Sequence, residues 1–283
     1  MELGWMRARS PLSWEETLSI VAQADEVGLR QIHLPTLNFG SLARLPRTMQ
    51  VMVGVDASTL PAQSPRNMAE RLQDACRFRD GQLVLTVSPS ASPATWTANQ
   101  TLETLLSDGS ERPLKTDLPI DPRPEVLALP SSTYPMDMRN AAGNGFHVMS
   151  PAWSSWSSIT RHWTEIVLGA THAVRRACLS HWHVARYVFV SDDRAELAAY
   201  RANIANLFPH HRLDDVTIAG SAETVAQDIR KLRRRVGKFG VLQIIDPGFD
   251  LVMGRRQRER LVRQVLPMIA EHTSATGQVV EPT

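Results

Sequence analysis

The chain has 283 residues, 43% apolar and 21% charged, and its 31 basic and 29 acidic side chains leave a formal charge of +2. That length fits one large domain or two small ones, and the composition excludes a disordered chain, a collagen-like fibre and a disulfide scaffold. The near-balance of charge gives no whole-molecule pull toward nucleic acid, and no apolar run approaches the roughly 18 residues of a membrane span. The N-terminal stretch MELGWMRARSPLSWEETLSI lacks the apolar core of a secretory signal, so a cytoplasmic location is expected. Cys76 and Cys178 lie far apart in helix-like segments, and free thiols are expected rather than a bridge.

In chain order, short apolar strands alternate with amphipathic helices. Glu2–Met6 reads as a strand. Ser13-Trp14-Glu15-Glu16 is a capping box that opens a helix through Leu18, Val21, Ala24 and Val27, and Gly28 stops it. Arg30–Pro35 and Gln50–Ser58 are strands. Asn67-Met68-Ala69-Glu70 starts a second helix in the same way, and residues 82–88 (QLVLTVS) form the fourth strand. From 89 to 124 the chain turns rich in Ser, Thr, Pro and Asp and reads as a surface excursion within one domain spanning 1–283. Glu125–Leu129 is a strand, Tyr134–Ala142 a helix, Phe146–Ser150 a strand, Ser158–Cys178 a helical region and His183–Ser191 a strand. Asp193-Arg194-Ala195-Glu196 carries the box pattern again. The last unit is a helix after Gly220-Ser221 with Val225, Ile229, Leu232 and Val236 on one face, then the strand Val241–Ile245 and a closing helix through Leu266. Eight strands separated mostly by helices predict an α/β fold of the (β/α)8 barrel type rather than an open sheet.

Several residues carry two readings. Ser131-Ser132-Thr133 precedes a helix and is either a phosphate cradle or an ordinary cap. His147 and His162 are each either a general base or a structural imidazole, and His162 lies in the segment expected at the barrel mouth. His181 and His183 alternate on one strand without a carboxylate or thiol at useful spacing, and His210-His211 has the same weakness, so no metal site is expected. Trp153, Trp156 and Trp163 either wall a pocket or pack a core. One of Arg186 and Tyr187 either points inward to contact an anionic group or packs outward. The runs 230–235 and 255–263 interleave arginine with Leu232, Val236, Leu261 and Val262, which predicts solvated faces of amphipathic helices rather than a nucleic-acid surface.

Taken together, four segments resemble the bacterial luciferase-like flavin monooxygenase family, in order and over most of the chain. They are ADEVGLRQIHLP, VGVDASTLPAQSPRNMAERLQDACRFRDGQLVLTVS, EVLALPSSTYPMDMRNAAGNGFHVMS, and IAGSAETVAQDIRKLRRRVGKFGVLQII with RQVLPMIA. The resemblance implies a luciferase-like (β/α)8 barrel with shortened insertions. It also implies a reduced-flavin seat at the mouth formed by the C-terminal ends of the strands.

By the same resemblance Asp56 and Ala57 lie under the flavin ring, joined by a cis bond. Ser131, Ser132 and Thr133 meet its phosphate, and Ser88 and Ser150, at the ends of the fourth and sixth strands, border the seat. Thr36-Leu37-Asn38 stands where the family has Glu-His-His, and Pro89 stands where it has an arginine for the phosphate. Asn38 and His162 are therefore the candidate catalytic side chains. Arg7, Arg9 or Arg161 could replace the missing phosphate arginine.

The implied activity is monooxygenation of a small organic substrate with O2 and reduced FMN (FMNH2) from a separate flavin reductase. The alternatives are a non-catalytic flavin-binding subunit and an oxidoreductase using the deazaflavin F420. No G-x-G-x-x-G nicotinamide fingerprint is present, in keeping with flavin reduced elsewhere. The resemblance also implies a homodimer, or a heterodimer with a related chain.

Overall fold

The computed structural model describes residues 1–7, 13–34, 45, 50–54, 83–87, 125–128 and 135–275. The described strands are β1 (Glu2–Arg7), β2 (Gln31–Leu34), β3 (Gln50–Gly54), β4 (Leu83–Val87), β5 (Glu125–Ala128), β6 (His147–Ser150), β7 (Trp182–Val190), β8 (Thr217–Gly220) and β9 (Val241–Asp246). Every pairing among them is parallel. β1 pairs with both β2 and β9, β7 pairs with both β6 and β9, and the ring β1-β2-β3-β4-β5-β6-β7-β9 closes. The eight strands read from the sequence are these eight.

β8 is a ninth strand. It pairs with Tyr187–Val190 of β7, beyond the stretch His183–Arg186 that pairs with β9. Four residues are too few to display an alternation, and the sequence alone did not separate them from the helix start that follows.

The strands alternate between two cores, as the period of two requires. Outward residues such as Trp5, Ile32, Val51, Val148, Trp182 and Leu242 pack under the helices. Inward residues Met6, Met52, Val84, Leu127, Met149, Ala185 and Ile245 line the barrel interior. The floor of the barrel is polar. Gln243 Nε2 donates to Gln31 Oε1 at 3.2 Å and to His183 Nδ1 at 3.0 Å, and Gln31 Nε2 donates to Glu2 Oε2 at 3.1 Å. A Cβ at Gly4 would stand 2.1 Å from Gln243 Oε1, so this layer needs glycine there.

The described α-helices are α1 (Trp14–Glu26), α2 (Pro135–Gly143), α3 (Trp156–His172), α4 (Arg194–Leu207), α5 (Leu213–Val216), α6 (Ala222–Val236), α7 (Leu251–Arg260) and α8 (Leu266–Ala275), with a π-helical turn at Leu261–Val265 between the last two. The box at α1 forms in full: Ser13 Oγ accepts from Glu16 N, and the Glu16 carboxylate accepts from Ser13 N. The one at α4 does not. Asp193 caps Ala195 and Glu196, but Asp193 N donates to Ser191 Oγ, because the Glu196 carboxylate is taken by the Ser191 hydroxyl and Arg256.

α3 starts two residues before the expected Ser158 and ends at His172, well short of Cys178. After it Val174 takes φ 55 at 95% exposure. The closing helix runs past Leu266 to Ala275.

The run 255–263 is solvated only in part: Arg255 and Arg263 are exposed, but two of its arginines turn inward. Arg258 is fully buried over the Trp5 ring and donates to Gln23 Oε1, while Arg260 donates to the Val190 carbonyl. Gln257 completes the clamp, since its Oε1 accepts from Val190 N at 2.8 Å and its Nε2 donates to Val190 O at 3.1 Å. These side chains tie α7 to α1 and to the end of β7, a use that alternation with leucine and valine cannot reveal. The run 230–235 is closer to expectation: exposed Lys231 pairs with half-buried Asp228, and Arg235 lies over Trp156.

Asn67–Glu70 and the excursion 89–124 lie outside the described residues. Cys178 is an exposed free thiol in extended backbone rather than in a helix. Among the described residues no helix is long and apolar enough to cross a membrane.

Candidate functional site

In a parallel barrel the C-terminal ends of all strands open on one face, where side chains from separate strands and loops converge. Here one side of that mouth is raised. β7 runs on past its pairing with β9, and Tyr187 and Phe189 on its inner face continue the barrel core upward. α4 covers this overhang. Tyr200 stacks on Phe189 with ring centroids 4.5 Å apart, and Phe249, after β9, closes on both at 6.0 Å and 5.8 Å. Phe208, which follows α4, packs against Tyr187 at 5.3 Å and against Trp153 at 6.4 Å. The result is an aromatic wall above an apolar lumen, a surface suited to a flat or apolar ligand. The wall is anchored at the end of β9 by Asp246, whose Oδ1 accepts from Gly248 N and Phe249 N.

Among the described residues, a polar pair stands in the lumen above its polar floor. His33 of β2 and Thr86 of β4 are both buried and meet over the inner face of β3, Nε2 to Oγ1, at 3.0 Å. Burial pulls the His33 imidazole down to about 4, so it is neutral at physiological pH. Sequence reading missed this pair. Its signal is there: His33 shares a face with Gln31, and Thr86 shares one with Val84. But strands buried on both sides do not announce which face is the lumen.

His162 and Ser150 are brought together, with Nδ1 3.1 Å from Oγ. They meet behind the barrel wall, under α3. Ser150 lies on the same face of β6 as Val148, and its Oγ also accepts from Trp182 Nε1 at 3.0 Å, in the outer core. Burial, with Arg161 and Arg186 nearby, lowers the His162 pKa to about 4. Arg161 is exposed on α3.

Of the tryptophans, Trp153 joins the mouth. Trp163 stacks on Trp182 at 5.1 Å in the outer core, and Trp156 lies under Arg235. Tyr187 is the inward member of its pair with Arg186. Buried Arg186 instead donates to the carbonyls of Ala152, Ser154 and Ala185, fixing the turn after β6.

His147 and His183 face the lumen floor. The proton that Gln243 leaves on His183 Nε2 points at His147 Nδ1, 3.4 Å away, and the exposed His181 ring stacks on His147 at 4.0 Å. Burial lowers His147 to about 4 and His183 to about 3. Among the described residues no group of three or more His, Cys, Asp or Glu is placed to hold a metal ion. Asn38, Asp56, Ala57, Ser88, Ser131, Ser132 and Thr133 lie outside the described residues, as do Arg9 and the Arg7 side chain.

No protein-family model and no curated protein matches the sequence. Solved structures do match. The oxygenating constituent of 3,6-diketocamphane monooxygenase from Pseudomonas putida, a type II Baeyer-Villiger enzyme in complex with FMN, superposes with a TM-score of 0.75 at 18% identity, over 95% of this chain and 98% of that one. EDTA monooxygenase from Chelativorans sp. BNC1 gives 0.68 at 14% identity, over 96% and 94%. The coenzyme F420-dependent tetrahydromethanopterin reductase from Methanopyrus kandleri gives 0.66 at 13%, over 95% and 99%. With its closed ring of eight parallel strands, the chain has the (β/α)8 barrel fold of these enzymes.

Proposed function

We propose that this chain is a luciferase-like flavin monooxygenase, which takes reduced FMN from a separate reductase and uses O2 on a small organic substrate. The observation that carries the reading is the mouth: an apolar lumen under the aromatic wall of Tyr187, Phe208 and Trp153, with a buried imidazole inside it. Such a mouth excludes water and suits a neutral planar ring. Bound reduced FMN would supply the reaction with oxygen. The chain's own part is to seat the ring, order the substrate against it and keep water out.

In this reading Asp56 and Ala57 lie under the ring, Ser131, Ser132 and Thr133 hold the phosphate, and Ser88 and Asn38 border the seat. His162 and Ser150 buttress β6 from behind rather than touch the ligand. The whole of 1–283 is one domain, acting as a homodimer or as a heterodimer with a related chain. Likeness to an FMN-bound monooxygenase supports the FMN reading. Likeness to F420-dependent enzymes supports a second, in which the same mouth seats F420 for hydride transfer without oxygen.

Anaerobic titration with reduced FMN and with F420, followed by admission of air, separates the readings. The monooxygenase reading expects reduced FMN to bind and oxygen to be consumed. Binding of F420 alone would favour the second reading. Binding of neither would leave a barrel with no flavin function.

A further inference from the structure

The hydrogen-bond accounting of the His33–Thr86 pair fixes a proton. Thr86 is buried, and its hydroxyl makes one hydrogen bond among the described residues, to His33 Nε2 at 3.0 Å. With Thr86 donating, one buried polar group is left over, the Nδ1–H. With Nε2 donating, two are left, the hydroxyl hydrogen and the Nδ1 lone pair, so Thr86 donates and Nε2 accepts. A neutral imidazole carries one N–H, which must then be on Nδ1. That nitrogen is fully enclosed and has no partner among the described residues, in a side chain only 6% exposed.

The chain thus presents an unmatched donor inside the barrel. Its neighbours in register are Met6 of β1 and Met52 of β3, both on the lumen side. A neutral donor flanked by thioether side chains suits a neutral oxygen acceptor. It suits an anion poorly, since a buried charge needs a counter-charge or several donors.

We propose that His33 Nδ1–H is a ligand-binding donor in the barrel lumen, set by Thr86, and that it receives a neutral carbonyl oxygen of the bound molecule. The inference rests on the reading of the barrel mouth as the ligand site. The carbonyl belongs either to a flavin ring or to a ketone-type substrate, and the two sources are separable by experiment.

Long-range proton–nitrogen NMR on histidine-labelled protein reads the tautomer directly, with the His33 signals identified by their loss in His33→Asn. The expected result is a neutral ring protonated on Nδ1 in the wild type, with that preference lost in Thr86→Val. Oxidised FMN and cyclohexanone are then added separately as probes. The probe that moves the Nδ1 signal names the source of the carbonyl. His33→Leu should weaken binding of that probe about five- to tenfold, the loss of one neutral hydrogen bond. His33→Asn, whose amide N–H takes the place of Nδ1–H, should restore most of it.

A ring protonated on Nε2 overturns the proposal. So does an Nδ1 signal that neither probe moves, the behaviour of a donor satisfied by internal water. The flavin reading fails separately, if fluorescence titration detects no flavin binding while cyclohexanone still shifts His33.

Discussion

The Ser150 hydroxyl is held between Trp182 and His162: it accepts from Trp182 Nε1 at 3.0 Å, and its own hydrogen is left for His162 Nδ1 at 3.1 Å. The relationship joins β6, β7 and α3 on the outer side of the barrel wall. A serine at the end of a barrel strand and a histidine in the next helix can equally be chemistry or carpentry. The partner that decides it is Trp182, fully buried in the outer core.

Ser150→Ala should therefore act on stability. It leaves the Trp182 N–H enclosed without an acceptor and removes the partner of His162, a loss of about 1–3 kcal/mol. Urea unfolding followed by tryptophan fluorescence measures it. Flavin affinity in the folded variant should stay within about twofold of wild type. A folded variant of unchanged stability with much weaker flavin binding would return Ser150 to the ligand site.

What the sequence made legible, and what it did not, follows from the range of the interactions involved. The Ser13–Glu16 box was readable because both partners lie within one turn. The matching pattern at Asp193 misled because Glu196 is drawn away by Arg256, 60 residues on. The ring of eight strands could be read from apolar runs, since parallel strands covered on both faces need them. The same property hid the lumen: in QIHL and QLVLTVS nothing local says that His33 and Thr86 face inward rather than toward helices. Arg258 looked solvated because its partners Trp5 and Gln23 come from the opposite end of the chain. The flavin seat suggested by Asp56, Ala57 and Ser131–Thr133 rests on resemblance alone.

Acid should destabilise the fold through its histidines. Burial lowers His33, His147 and His162 to about 4 and His183 to about 3, against 6.5 in an unfolded chain. Between pH 6.5 and about 4 the unfolded state binds more protons than the folded one, so stability rises with pH across that window and is lost as pH falls through it. One fully buried histidine such as His33 contributes on the order of 3 kcal/mol by the acid end. Urea midpoints measured from pH 7.5 down to 4.5 should fall steadily, and the fall should be shallower in His183→Gln. A flat profile would mean that these imidazoles are reached by water or paired in the folded state.

Gly169 sets the spacing of α2 and α3. A Cβ there would stand 2.0 Å from the Arg139 carbonyl oxygen, a backbone atom that cannot swing aside. Gly169→Ala should cost about 1–3 kcal/mol or more, since one helix must shift or bend. Gly143→Ala is the control. Its Cβ would lie 3.5 Å from the Gly169 carbonyl oxygen, an ordinary contact, so it should cost less by calorimetry or urea melting. Equal costs at the two sites would mean that the helices are free to adjust.

The aromatic wall carries the last expectation, which belongs to the proposed activity. Phe208 touches Tyr187 on one side and Trp153 on the other, so its ring joins the β7 overhang to the turn after β6. Phe208→Ala opens a gap between them without touching the closed ring of strands. A loosened wall admits water to the mouth, and a reduced flavin exposed to water and oxygen gives hydrogen peroxide in place of oxygenated product. The variant should fold and bind reduced FMN within a few-fold of wild type. Its fraction of consumed oxygen released as peroxide should rise severalfold. Oxygen-electrode traces with and without catalase measure that fraction, with no knowledge of the natural substrate if both proteins are compared on the same ketone or in its absence. Phe208→Leu, which keeps most of the apolar volume, should lie between the two. A peroxide fraction unchanged in Phe208→Ala would mean that the wall does not border the place where oxygen reacts. The Tyr187–Phe208–Trp153 stack would then be a brace for β7 alone, and the mouth's dry surface would have to come from the loops after β3, β4 and β5.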